Sequence, residues 1–198
     1  MNPRSRFLVL AVAVLLAFTG APVTADEFHV DKAAANRVSF TARFMGETFD
    51  GVTSKIDGYV FWKATDPSTG MPTGSDLYFE VDLNALDTGI GLRNHHMREN
   101  YLETDRYPYA AFKGTVAKTV RQGEADTLVA VEGKLTLHGK DRFVSVTGRV
   151  TADDGRYRLS CTFPLDIRDY GIEVPSLMGA KVDPNLSMAM SVILIKVK

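Results

Sequence analysis

The 198-residue chain has one cysteine, Cys161, so it can form no internal disulfide in any compartment. Neither charge sign dominates: 23 Lys and Arg stand against 24 Asp and Glu, and no basic block breaks the balance. That excludes the electrostatic footprint of a nucleic-acid binder. Long apolar runs are missing too, apart from "FLVLAVAVLLAF" at residues 7–18. Twelve residues fall short of the ~20 needed to span a bilayer. With Arg4 and Arg6 before it and Val23 and Ala25 after it, the run reads as a secretory signal peptide cleaved after Ala25. No cysteine near that point could carry a lipid, and Ser5 between the arginines argues against a twin-arginine signal. The expectation is one periplasmic or secreted domain over residues 26–198, with no integral membrane span once the signal is removed.

Motifs for common chemistries are also lacking. There is no H-E-x-x-H helix, cysteine pair or EF-hand loop for a metal, and no G-x-S-x-G elbow for a nucleophile. "GIGLRN" at Gly89 lacks the third glycine of a dinucleotide fingerprint. His95 and His96 are adjacent, so their side chains diverge on a strand and lie about 100° apart on a helix, a poor start for a shared ion. No metal, cofactor or catalytic residue is therefore assigned. Cys161, between Leu159 and Phe163, reads as a small packed hydrophobe, and Arg168 with Asp169 as a local ion pair.

What is present is alternation. In "RYRLSCTFPLDI", Tyr157, Leu159, Cys161, Phe163, Leu165 and Ile167 take every odd position, which gives a strand one buried face. The same period marks Val38 to Phe44, Leu77 to Leu83, Val129 to Leu137 and Val144 to Val150. Further strands are read near Ile56 to Trp62, Tyr109 to Lys118 and Leu186 to Val197, with turns at "DPSTGMPTG", "RQGEAD", "HGKDR", "ADDG" and "VDPN". About eight strands joined by short polar turns predict an antiparallel meander, since parallel strands need long crossovers. The pattern fits a two-sheet sandwich or an up-and-down barrel. The barrel is preferred, because closure removes the edges of such apolar strands, and its interior can be filled by side chains or one small ligand.

Two longer connections break the rhythm, residues 87–107 and 169–185. The first holds "RNHHMRENYLETDRYPYAAF". If Gly91 to Leu102 is helical, Arg93, His96 and Asn100 share a face beside an apolar stripe of Met97 and Tyr101. Such a segment could cap one barrel opening, with Arg93 either pairing with a nearby carboxylate or facing a ligand headgroup.

These stretches resemble a known family. "FHVDKAAANRVSFTARFMG", "LDTGIGLRNHHMRENYLETDRYPYAAF", "VEGKLTLHGKDRFVSV" and "IRDYGI" together resemble the motifs of the YceI family, bacterial polyisoprenoid-binding, lipocalin-like periplasmic and secreted proteins. Arg93 and His96 fall on its Arg and His, Tyr101 and Leu102 on its apolar pair, Tyr107 and Pro108 on its Tyr-Pro, and Gly133 to Gly139 on its hairpin. Asn94 departs from a common Asp, and Glu99 with Asn100 from smaller residues. The resemblance implies an all-β, eight-stranded antiparallel lipocalin-like barrel with a lid loop or short helix. Its lumen would hold a small amphiphilic lipid: a polyprenyl chain, a quinone or a fatty-acid amide. Phe40, Phe44, Phe79, Leu159 and Phe163 would line that lumen, with Arg93 and His96 at the rim. Sequestration or transport is the expected role, with a homodimer admitted as an assembly. The alternative is an enzyme acting on such a lipid at the barrel mouth with His96 or His138 as general base, and a third reading is a barrel packed solid that serves as an interaction or stress protein.

Overall fold

Strands that alternate apolar and polar side chains need a common interior, and the pairing pattern shows how this chain builds one. The computed structural model describes residues 26–62, 73–123, 126–177 and 179–197. The expected signal peptide, most of the "DPSTGMPTG" turn and part of "RQGEAD" lie outside them. The strands are β1 (Asp26–Val30), β2 (Arg37–Phe44), β3 (Glu47–Thr53), β4 (Ile56–Trp62), β5 (Asp76–Asp82), β6 (Tyr109–Arg121), β7 (Asp126–Leu137), β8 (Lys140–Asp153), β9 (Arg156–Asp166), β10 (Ser176–Leu177), β11 (Ala180–Lys181) and β12 (Asn185–Lys196). Neighbours run β1-β4-β5-β6-β7-β8-β9-β12, and β12 returns to β1. β2 pairs with β12 beyond β1, and β3 pairs with β2 beyond β4. Each pair, β1 with β2 and β3 with β4, thus acts as one interrupted strand. The result is a closed, eight-membered, up-and-down antiparallel barrel.

The interruptions are sealed by side chains. Between β1 and β2 the chain leaves the ladder, and the buried Asn36 takes over: its Oδ1 accepts from Ile193 N–H at 2.9 Å and its Nδ2 donates to Asp31 O at 2.7 Å. A buried strand amide left without a partner would be costly, so a short side-chain amide substitutes for the missing backbone.

Glycines lie where aromatic rings cross the wall. The Phe112 ring lies against both Gly114 and Gly133, cross-strand partners on β6 and β7, and Phe40 lies over Gly51. No side chain could share those positions with the rings, and such ring-on-glycine sites let strongly curved strands stay packed.

One seam is incomplete. The β8–β9 ladder runs from Asp153↔Arg156 only as far as Gly148↔Cys161. Beyond it, residues 140–147 of β8 continue to pair with β7, and residues 162–166 of β9 with β12, but not with each other. Pro164 falls in this stretch, where its missing N–H deprives β8 of nothing. The far end of the split is bounded by a 3₁₀ turn, Ile167–Tyr170, whose Tyr170 carbonyl lies 3.3 Å from His138 Nδ1.

Apolar packing falls into two clusters with a space between them. One holds Phe28, Val60, Leu77, Val192 and Leu194, closed by mutual contact of Phe28, Trp62 and Tyr157 with ring centroids 4.8–5.2 Å apart. The other holds Leu83, Leu86, Leu165, Ile167, Tyr170 and Ile172 beneath the long connection. Among the described residues no helix is long and apolar enough to cross a membrane.

Candidate ligand-binding site

The space between the clusters is a cavity of about 650 Å³ inside the barrel. Its wall is built by the inward residues of nearly every strand: Phe40 and Phe44 of β2, Phe79 of β5, Val129 and Val131 of β7, and Leu159 and Phe163 of β9. All seven residues singled out from the sequence line it, Arg93 and His96 doing so from the lid. The odd face of β9 points inward as its period requires, and Cys161 is part of that wall. Burial pushes the Cys161 thiol up to about 11, so it stays neutral and acts as an apolar lining atom at physiological pH.

The lid begins as an α-helix, α1 (Gly91–His96), and continues as a π-turn over Met97–Tyr101. The wider turn is visible in the bond from Leu102 N–H to Met97 O, five residues back, at 2.8 Å. It keeps Met97, Tyr101 and Leu102 packed on the second apolar cluster. It also breaks the expected face: Arg93 and His96 line the cavity, while Asn100 is exposed and does not.

Among the described residues Arg93 pairs with no carboxylate, and it does not stand free either. Its Nε donates to Thr88 Oγ1 at 2.8 Å, its Nη2 to Thr88 O at 2.6 Å, and its guanidinium lies 4.2 Å from the Phe49 ring centre. Most of its fork is therefore spent on fixing the lid to the 87–88 segment and to β3. Sequence reading missed the companion of this clip, Asn94. Its buried Oδ1 accepts from Thr88 N–H at 2.8 Å and Thr88 Oγ1–H at 2.7 Å, while its Nδ2 donates to Asp87 Oδ1 at 2.7 Å. The departure from a common Asp at this position was the signal that could have found it. The N–H of Gly89 and the Asn94 amide hold the Asp87 carboxyl below its usual range.

Histidine–carboxylate pairs exist, but away from the cavity wall. His95 pairs with Glu99 at 2.8 Å on the exposed side of the lid. His138 lies 3.8 Å from Glu103 and edge-on to Tyr107, and neither His138 nor Glu103 lines the cavity. The expected Arg168–Asp169 pair gives way to Asp166, whose carboxylate takes both Nε and Nη2 of Arg168. No cluster of three or more metal-ligating side chains occurs among the described residues.

A closed up-and-down barrel, plugged by aromatics at one end, lidded at the other and hollow between, belongs to the class of cavity-bearing β-barrels. The chain belongs to the YceI-like domain family, whose pattern it matches over residues 28–193. It is 24% identical over 194 residues to a UPF0312 protein of Pseudomonas putida (strain W619), covering 93% of this chain and 96% of that one. To a UPF0312 protein of Pseudomonas savastanoi pv. phaseolicola it is 27% identical over 187 residues, covering 90% and 92%. In fold it is similar to Burkholderia cenocepacia BcnA, with a TM-score of 0.68 at 19% identity, over 83% of this chain and 98% of that one. A polyisoprenoid binding domain from Saccharophagus degradans gives 0.67 at 18% identity, over 86% and 98%.

Proposed function

We propose that this protein is a binding protein that holds a long amphiphile in the barrel lumen, a polyisoprenoid, quinone or fatty-acid derivative, for sequestration or transport in the periplasm or outside the cell. The observation that carries the reading is the cavity itself: about 650 Å³, walled almost entirely by aliphatic and aromatic side chains, within the size range of small-molecule pockets. Each CH₂ moved from water into such a wall contributes about 0.8 kcal/mol, without directional demands. A long chain is thus held by the sum of many weak contacts, and the wall tolerates different tails. Phe40, Phe44, Phe79, Leu159 and Phe163 contact the tail, and Arg93 and His96 on the lid form the polar edge of the wall. The polyisoprenoid binding domain with the same fold supports the ligand class. The position of the histidine–carboxylate pairs favours binding over catalysis, because a general base must reach the reacting group.

The test is lipid extraction and mass spectrometry of the purified protein, together with two neighbouring variants. Leu159→Trp should fill the lumen and lower co-purified lipid, whereas Arg158→Trp, on the exposed face of the same strand, should leave it unchanged with the fold intact by circular dichroism. Equal lipid in both variants would sink the lumen reading.

A further inference from the structure

At the point where the β8–β9 ladder stops, a second cavity of about 350 Å³ opens on the outer side of the barrel. Seven of its twelve lining residues also line the lumen, among them Ser39, Gly148, Arg149, Ser160 and Cys161. The last rung, Gly148↔Cys161, therefore borders both spaces, and below it Val146 and Phe163 flank the split from the lumen side. Beyond the shared residues its lining is mostly polar, adding Arg37, Thr147, Thr162 and Ser191. It carries two arginines, Arg37 and Arg149, and the hydroxyls of Ser39, Thr147, Ser160, Thr162 and Ser191, and no carboxylate.

The two arginines are differently prepared. Arg149 Nη1 donates to Asp126 Oδ2 at 2.7 Å, and Asp126 Oδ1 accepts from Thr151 Oγ1 at 2.6 Å, so one corner of the guanidinium is anchored. Its other nitrogens have no hydrogen-bond partner among the described residues. Arg37 is exposed and has no partner among them at all. A planar guanidinium fixed at one side, a second one free to swing in, and surrounding hydroxyls make a setting suited to tetrahedral oxyanions. Arg93, by contrast, has already spent two of its three nitrogens on Thr88.

We propose that the split between β8 and β9 is a side window through which the headgroup of the bound amphiphile leaves the lumen, and that Arg37 and Arg149 bind a phosphate or diphosphate group there. The inference rests on the reading of the lumen as the tail site. It gives the amphiphile two chemically matched ends: an apolar tail inside the barrel, and an anionic head outside, near the rung Gly148↔Cys161. A small residue is required at the threshold, and Gly148 supplies it.

Delipidated protein would be titrated by calorimetry with farnesyl diphosphate, farnesol and inorganic pyrophosphate. Farnesyl diphosphate should bind more tightly than farnesol, and pyrophosphate more weakly than farnesyl diphosphate. Arg37→Ala should cost farnesyl diphosphate about tenfold in affinity, the worth of a charge-assisted hydrogen bond, and leave farnesol unaffected. Arg37→Glu should cost more. Arg149→Lys, which keeps the charge beside Asp126 but loses the fork, should also weaken farnesyl diphosphate. If the diphosphate advantage persisted in Arg37→Glu, or were absent in the parent, the window site would be overturned. Pyrophosphate binding as tightly as farnesyl diphosphate would reduce the site to a surface anion site unconnected with the lumen, and overturn it equally. Failure of farnesol and farnesyl diphosphate alike, together with no lipid in the extract of the purified parent, would overturn the lumen reading on which it rests.

Discussion

Asn94 answers three polar groups with one short side chain: two donors on Thr88 need an acceptor, and the Asp87 carboxylate needs a donor. A carboxamide supplies both from separate atoms, the oxygen accepting twice and the nitrogen donating. Asn94→Ala would leave the buried Thr88 N–H without its acceptor, at an expected cost of about 1–3 kcal/mol in urea unfolding. A variant as stable as the parent would refute that accounting. Asn94→Asp separates the two functions. The acceptor survives, but the donor to Asp87 is replaced by a second carboxylate. In the parent, the depressed Asp87 value means that its contribution is present above the ordinary carboxylate range and is lost as pH falls through the folded value. In Asn94→Asp, repulsion raises the folded value of one of the pair. The deficit against the parent should therefore be widest at neutral pH and shrink as the pH falls toward about 4. Denaturation midpoints at pH 7 and pH 4.5 measure this, and a constant gap would contradict it.

Among the elements, the β6–β7 pair shows why its motif has the glycines it has. A Cβ on Gly133 would meet Lys113 O at 2.4 Å and Gly114 Cα at 2.5 Å, backbone atoms that cannot move without parting the two strands. Gly133→Ala should therefore destabilise by about 1–3 kcal/mol, as overpacking does. Gly148→Ala, whose nearest new neighbour is Ser160 O at 3.1 Å, should cost distinctly less. Similar losses for both would remove close approach as the explanation. The same physics links two stretches far apart in sequence: at Gly139, with φ of +69°, a Cβ would strike the Tyr107 ring at 2.5 Å. Period-two alternation made the long strands and the inward face of β9 legible, because burial of one face writes itself into every second residue. Glu47–Thr53 was illegible as a strand, since four of its seven residues are polar and its first two are exposed. The π-turn was hidden for another reason: Met97, Tyr101 and Leu102 fit an ordinary helical stripe equally well, and only the packing beneath them selects the wider turn. Pro164 did carry a readable sign that β9 has a bare edge, since proline avoids positions paired on both sides.

At the scale of the molecule, the two ends of the barrel are closed by different means. The aromatic plug of Phe28, Trp62 and Tyr157 belongs to the core and should not open. The lid is held by polar clips from Arg93 and Asn94 as well as by the packing of Met97, Tyr101 and Leu102. Phe28→Ala should cost about 3–5 kcal/mol, as emptying a packed aromatic site does, and calorimetric melting would register it as a lower Tm. An unchanged Tm would mean that the plug is not part of the cooperative core. Strand count and turn chemistry made an eight-stranded antiparallel meander legible, but closure into a barrel rather than a sandwich rested on edge removal and the family resemblance. The hollow centre was hidden, because the same inward faces would serve a solid core. Closure has a further consequence, in the order of synthesis. Phe28 pairs with Lys196 and Val30 with Leu194, so the first strand waits for a partner that emerges last. Contacts that span almost the whole chain form slowly, and until they form the apolar inner faces stand open. A chain stopped before Asn185 would own every other strand and still make no barrel: β1 with β2 on one side and β9 on the other would be left as bare edges, prone to join other chains rather than each other.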